Sequence, residues 1–596
     1  MKRFSLIVLL YLFFVIHNTK AQSTTEQDNK DLATLFANYH EENLRLSPLL
    51  ATSIGDTRYN HLLPIEFTDS YRERLKEFYN RNLTALQKFN RETLSDNDKI
   101  SYDIFKREME INLEGLDIKD YLIPFTQFRG IPLTLAQYGS GTVVQPFKTV
   151  KDYEDWISRA SVFPAWADSA IVYFRRGMAQ NIVLPQQLVQ KMIPQMEAFV
   201  LPDPTKSVFY GPINNMPATF ADTTKKRLTD EYVKLINEQL VPAYTRLVAF
   251  LKNEYLPKAR TTSGIGAVPG GDKMYSHYIR YFTTTTKSAD EVYQTGLSEV
   301  KRIQKDMEKV KAQVGYKGDL KSYFEYLRTD PKFFPYKTAE EVLNDYRAIQ
   351  QKVDPALKKM FNHTPKTAFE IRQTEAFRAA SAAAQYNAGS PDGSRPGIFY
   401  IPIVDPTKTP RARESLFLHE AIPGHHYQVM LQRENESLPA FRRFSGNSAY
   451  AEGWGLYAES LGKELGLYTD PYQYIQALGD EIHRAIRLVV DAGLHAKGWT
   501  REQAIRYMMD NEPIEEQRAT AEIERYMALP AQALSYKIGQ LKIQELRKRY
   551  QQQLGTAFNL AAFHDEILKD GNMPLDVLER KMDRWANSQK NQKRTF

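Results

Sequence analysis

Apolar residues recur at helical spacing along most of this chain, and the places where the rhythm fails divide it into elements. Leu32, Leu35, Phe36, Tyr39 and Leu44 predict a first helix, which Pro48 bends or ends. Charge-rich helical patterns follow over 68–89 and 95–116, the second opened by Ser95 and Asp96 as cap candidates. Residues 121–147 lose the period and carry Pro124, Gly130, Pro132, Gly139 and Gly141, which predicts loop and turn. Helical patterns return over 150–180, 185–200 and 222–254. The stretch 256–273 then gathers Pro257, Gly264, Gly266, Pro269, Gly270 and Gly271, the best candidate for a boundary between two lobes. Beyond it, Ser288 with Glu291, Thr338 with Glu341 and Thr500 with Gln503 are capping boxes in front of helical runs.

One strand signal stands out. A turn over 392–397 leads into Ile398-Phe399-Tyr400-Ile401-Pro402-Ile403, where the proline predicts an edge strand or small hairpin. Such an edge can pair with an extended peptide, and Tyr400 on it would meet substrate. The fold class expected is therefore mainly α, a large two-lobed helical fold with a substrate channel and this small β element beside the site.

Composition narrows the class. Lys2 and Arg3 precede an apolar run from Leu6 to Ile16, too short to span a bilayer, so residues 1–22 read as a cleaved signal peptide and 23–596 as one helical domain. Cleavage would remove Lys2, Arg3 and Lys20 and lower the net charge from +7 to +4, which implies no nucleic-acid partner. No later run is long enough to span a membrane. The expectation is a secreted or periplasmic protein with no membrane contact after cleavage and no lipid-bearing cysteine. With 0 Cys, any metal must sit on His and carboxylates. The 35 Tyr and 31 Phe suit a chain with much buried surface and a groove to line.

Candidate chemistry concentrates in Leu416-Phe417-Leu418-His419-Glu420-Ala421-Ile422-Pro423-Gly424-His425-His426-Tyr427-Gln428. Of 11 histidines in the chain, three fall here, the first with a glutamate directly after it. Zinc hydrolases hold their metal on two imidazoles and use the adjoining carboxylate to draw a proton from the attacking water. The usual second histidine comes four residues on; here that position is Pro423. In an unbroken helix His425 would lie about 240° round from His419, and His426 about 10.5 Å up the axis. The helix must therefore be deformed at Ile422-Pro423-Gly424, after which either histidine can turn inward. For a third ligand, Glu452 is preferred to Glu459, because Ala451 and Gly453 beside it permit close approach. Glu459 then stands behind a ligand or on the surface.

The segments His419 to Gln428, Glu452-Gly453-Trp454 with Tyr457, and Pro530-Ala531-Gln532-Ala533-Leu534-Ser535-Tyr536-Lys537 resemble the bacterial family called domain of unknown function 885. That family is placed with the gluzincin metallopeptidases, near thimet oligopeptidase and angiotensin-converting enzyme. The resemblance covers nearly the whole chain after residue 22. Set against the His-Glu-x-Gly-His form of thimet oligopeptidase, it implies a two-residue insertion before Gly424, His425 as second ligand and His426 as its neighbour. It further implies Tyr536 as the donor to the oxyanion of a peptide carbonyl under attack.

One further helix carries a polar line. From Asp480 to Lys497 the pattern is largely apolar, yet His483, Arg487, Asp491 and His495 recur every four residues, as in a buried network. Asp491 is expected to take a proton from a ligating imidazole, and Arg487 or His495 to face substrate. The reading is thus a zinc peptidase: His419, His425 and Glu452 on the metal, Glu420 as general base, Tyr536 as oxyanion donor, a peptide as substrate. A non-catalytic peptide-binding protein and a metal-dependent hydrolase of another amide or ester are the alternatives.

Overall fold

The computed structural model describes residues 30–375, 379 and 383–594, with side chains to 590; the predicted signal peptide, 1–22, lies outside them. Helix makes up 69% of the structure and strand 3%, so the fold is mainly α with one small sheet. Among the described residues, no helix is long and apolar enough to cross a membrane.

The predicted helices form where their caps allow. Ser95 accepts from the Asp98 N–H at the head of Asp96–Leu116. All three capping boxes close in both directions, at Ala289–Gln313, Ala339–Met360 and Arg501–Asn511. The predicted loop over 121–147 is interrupted by a helix, Ile131–Gly139. Here Pro132 occupies the first turn, where its missing N–H costs nothing, and Gly139 ends the helix, so the punctuation brackets a short helix instead of excluding one.

Eight helices position the site and are labelled α1 Gly271–Thr283, α2 Ala289–Gln313, α3 Glu414–Glu420, α4 His425–Glu434, α5 Ser448–Ser460, α6 Pro471–Ala496, α7 Glu516–Ala528 and α8 Ser535–Leu554. Two apolar clusters are buried. One is built from the N-terminal helices, α1, α3 to α5, α8 and the C-terminal helices. The other spans much of 122–255 together with the greater part of α2 and α6, and α7. Both α2 and α6 contribute to each, through Val292 and Leu488 on one side and Ile303 and Ile486 on the other. The chain passes from the second cluster to the first between Tyr255 and Ile265, inside the glycine-rich stretch 256–273. That stretch is pressed onto the end of α6: a Cβ at Gly264 would lie 1.7 Å from the Leu494 carbonyl oxygen.

The sheet has three strands, β1 Phe369–Gln373, β2 Gln385–Asn387 and β3 Gly397–Ile401, in the order β1-β3-β2. β3 runs parallel to β1 and antiparallel to β2, with Tyr400 opposite Arg372 and Gln385. The strand expected at an edge is therefore the middle one. Pro402 lies just past the paired residues and blocks nothing, and the Thr374 N–H closes on the Ile401 carbonyl.

Candidate metal centre

The helix that begins at Glu414 stops at Glu420. Ala421 leaves helical geometry at φ −98°, ψ −111°, and α4 starts afresh after Gly424 at φ −71°, ψ −122°. The chain folds back so closely that a Cβ on Gly424 would sit 1.9 Å from the His419 carbonyl oxygen. Only glycine fits. Trp454 of α5 holds the fold-back from the side, its indole N–H donating to the Pro423 carbonyl at 2.8 Å.

This break brings together residues that a straight helix would keep apart. The His419 and His425 rings lie edge to face, 4.7 Å between centroids. Their Nε2 atoms stand 3.4 Å and 3.5 Å from the same Glu452 oxygen. Ligand atoms about 2.0–2.2 Å from a tetrahedral zinc are separated by about 3.3–3.6 Å, so the donor set fits that ion. A Glu420 carboxylate oxygen lies within 4.8 Å of a nitrogen of each imidazole. Two carboxylates thus compete for the third position. Glu452 is the better placed, being at ligand-to-ligand distance from both imidazoles, and Glu420 is left beside them.

Glu459 lies two turns along α5 from Glu452 and accepts from His419 Nδ1–H at 2.8 Å, which orients the ring with Nε2 toward Glu452. Arg484 of α6 in turn pairs with Glu459 at 3.4 Å. Gly455 makes room: a Cβ there would meet the His419 ring at 2.7 Å. Burial alone would push the His419 imidazolium down, but its bonds to Glu452 and Glu459 take it up to about 10. Burial likewise opposes ionisation of Glu452, yet the two imidazoles hold it far below the usual carboxylate range. Three carboxylates, Glu420, Glu452 and Glu459, against two imidazoles make this a place that draws positive charge.

His426 is turned away from this cluster. Buried beside β1 and β2, it shares a 2.8 Å hydrogen bond between its Nδ1 and the Tyr386 hydroxyl, and burial lowers it to about 4. Tyr400 is half-buried on β3.

The polar line on α6 behaves differently from expectation. Asp491 receives no imidazole proton; it accepts from the Tyr275 hydroxyl at 2.6 Å and from the Ala531 N–H at 3.1 Å. The acceptor behind His419 is Glu459 of α5. His495 does not face substrate either: its Nδ1 accepts from the Ile265 N–H and its Nε2 donates to the Tyr526 carbonyl, both at 3.0 Å, deep in the core. His483 Nδ1 pairs with Glu512 at 2.7 Å. Arg487 donates to the Tyr526 hydroxyl at 2.8 Å and pairs with Glu522 at 3.1 Å, while its guanidinium lies 4.8 Å from the Tyr536 ring centre. Tyr536 is partly buried near the cluster. Burial first, then the negative Glu452, raises its phenol above the ordinary value, so it stays protonated.

Sequence reasoning passed over Gly455 and the bond from Trp454 to Pro423. The signal for both was the dense run of small and aromatic residues around Glu452, read only for the space beside that glutamate. Gly453 instead serves a helix crossing: a Cβ on it would lie 2.5 Å from Gly539 of α8. A cavity of about 710 Å³ opens elsewhere, lined by Arg107, Arg280, Thr285 and Lys542, and has none of these site residues in its lining. Chemistry, not cavity size, locates the site.

Comparison with known proteins bears on the whole chain. Residues 48–582 match a family described as "Bacterial protein of unknown function (DUF885)". A crystal structure from Colwellia psychrerythraea, described as a "putative lipoprotein", is 29% identical over 94% of this chain and 99% of its own, with a TM-score of 0.85. A second structure, described as a "putative lipoprotein of unknown function" from Shewanella oneidensis, shares the fold at 19% identity and TM-score 0.71, over 92% of this chain and 99% of its own. No curated protein matches the chain.

Proposed function

The chain belongs to the DUF885 family of bacterial proteins of unknown function, and from that premise and the geometry around Glu452 we propose that it is a zinc-dependent peptidase of gluzincin type. The observation that carries the reading is the pair of imidazole Nε2 atoms at 3.4 Å and 3.5 Å from one Glu452 oxygen. His419, His425 and Glu452 would hold the ion. When bound, zinc supplies a Lewis acid that polarises the peptide carbonyl and makes water a stronger acid. Glu420, half-buried beside the imidazoles, takes the proton from the attacking water and delivers it to the departing amine. Tyr536, kept protonated by burial and by Glu452, donates to the oxyanion. Glu459 keeps His419 oriented throughout. The apolar run over 6–16 supports an enzyme that works outside the cytoplasm, and two similar structures are described as putative lipoproteins.

Metal analysis of the purified protein, paired with a screen of free and end-blocked peptides, tests this. One zinc per chain, lost in His419→Ala together with peptide cleavage, is the expected result. Absence of stoichiometric zinc sinks the reading; zinc without cleavage of any peptide sinks its peptidase part.

A further inference from the structure

Asp491 is the buried acid that this mechanism does not use. It is fully buried on α6 and, among the described residues, forms no ion pair; Arg525 acts on it only through space. A buried carboxylate without a cation is costly and is kept where its hydrogen bonds are needed. Its partners are two. The Tyr275 hydroxyl of α1 donates to Oδ1 at 2.6 Å, and the Ala531 N–H lies 3.1 Å and 3.2 Å from the two carboxylate oxygens.

Ala531 is itself unusual. It is fully buried and has φ +65°, ψ −11°, a left-handed conformation that a residue with a Cβ adopts only when its surroundings enforce it. It opens the short turn Gln532–Leu534, and α8 begins directly after, with Tyr536 as its second residue. Arg525 of α7 grips the same turn by donating to the Gln532 side chain at 2.9 Å. One turn past Tyr536, Gly539 crosses Gly453 in the helix that carries Glu452. Where the turn ends thus sets where the phenol stands relative to Glu452.

We infer that Asp491, oriented by Tyr275, is a positioning residue that holds the Ala531 N–H and the left-handed turn, and thereby places the Tyr536 phenol at the metal site. This rests on the peptidase reading for its kinetic consequence, though not for its structural one. Asp491→Ala should raise amide exchange over 531–536 at least tenfold, leave zinc content intact, and lower kcat more than tenfold with KM within twofold. Asp491→Asn, which keeps a carbonyl oxygen for both donors, should recover most of that loss. So should adding Ala531→Gly to Asp491→Ala, since glycine accepts the turn unaided.

The deciding arm is a double-mutant cycle. In a Tyr536→Phe background, Asp491→Ala should cost less than a further twofold, because the group it positions is gone. An equal loss in both backgrounds overturns the inference, as does unchanged exchange over 531–536. If Asp491→Ala does not fold, Tyr275→Phe carries the same measurements with a milder perturbation. If the wild-type protein neither holds zinc nor cleaves peptides, the peptidase reading fails by itself, and the exchange result alone decides whether Asp491 holds the turn.

Discussion

The broken helix pair α3–α4 and the long helix α6 carry the same kinds of residue, acids and histidines on mostly buried helices, yet they do opposite things with them. Along α6 the backbone never breaks, and residues four apart are displaced about 6 Å along the axis. The polar groups therefore spread over several partners: His483 meets Glu512 and shares Glu522 with Arg487, Arg487 also meets the Tyr526 hydroxyl, Asp491 meets Tyr275 and Ala531, and His495 meets the Ile265 N–H and the Tyr526 carbonyl. In α3–α4 the chain turns back at Gly424, and two imidazoles six residues apart face one glutamate oxygen. Along a straight helix, residues one turn apart can share a partner, as His483 and Arg487 share Glu522. Bringing imidazoles six residues apart onto one oxygen takes a break in the backbone.

The strongest way to sharpen this contrast is to remove, one at a time, the two carboxylates that meet the imidazoles at the break. Glu420→Gln leaves the ligand set untouched and should retain zinc while kcat falls on the order of 10²–10⁴-fold, the usual worth of a general base. Glu452→Gln should instead lose the metal, which separates the two competing carboxylates. The adjacent histidines give the next test. His425→Ala should abolish stoichiometric zinc, whereas His426→Ala, which removes an imidazole bonded to Tyr386 and packed on Phe369, should keep it. Zinc lost in both, or in His426→Ala alone, would show that the fold-back presents the other imidazole. Glu459→Gln is expected to be milder. It weakens the bond that orients His419 and should reduce zinc affinity about 10–100-fold, measured by competition with a chelator.

Much of this contrast was legible in the sequence, and the illegible part has a common cause. Capping boxes such as Ser288 with Glu291 are local, so they could be read directly and all three formed. The break at Pro423-Gly424 followed from where position i+4 falls. Partner choice did not. Nothing in the spacing of Asp491 tells that α5, carrying Glu459, packs against His419 while α6 turns its acid toward α1 and the Ala531 turn. Nor could β3 be recognised as central, since β1, Phe-Glu-Ile-Arg-Gln, alternates over too few residues to announce itself and pairs in parallel from 28 positions upstream. Local rules name the elements; the contacts between elements decide which polar residue does what.

The smallest effect expected is also the one that tests the α6 side of the comparison alone. Burial raises Asp491 to about 7, against about 3.9 for a free Asp carboxyl in the unfolded chain. The groups facing it are the Tyr275 phenol and the Ala531 N–H, with Arg525 farther off. Between those two values the folded state keeps a proton that the unfolded state has released. The stabilising contribution is therefore fully present below about pH 4, falls by about 1.4 kcal/mol per pH unit as pH rises toward about 7, and is level above that. Urea melts of the wild type and Asp491→Asn across this range isolate the group, because every other titration is common to both. The difference in unfolding free energy should slope through the window and flatten at neutral pH. A difference that stays flat from pH 4 to 7 would mean that Asp491 is ionised throughout, with water or a cation reaching it, and that α6 is less sealed than its apolar faces imply.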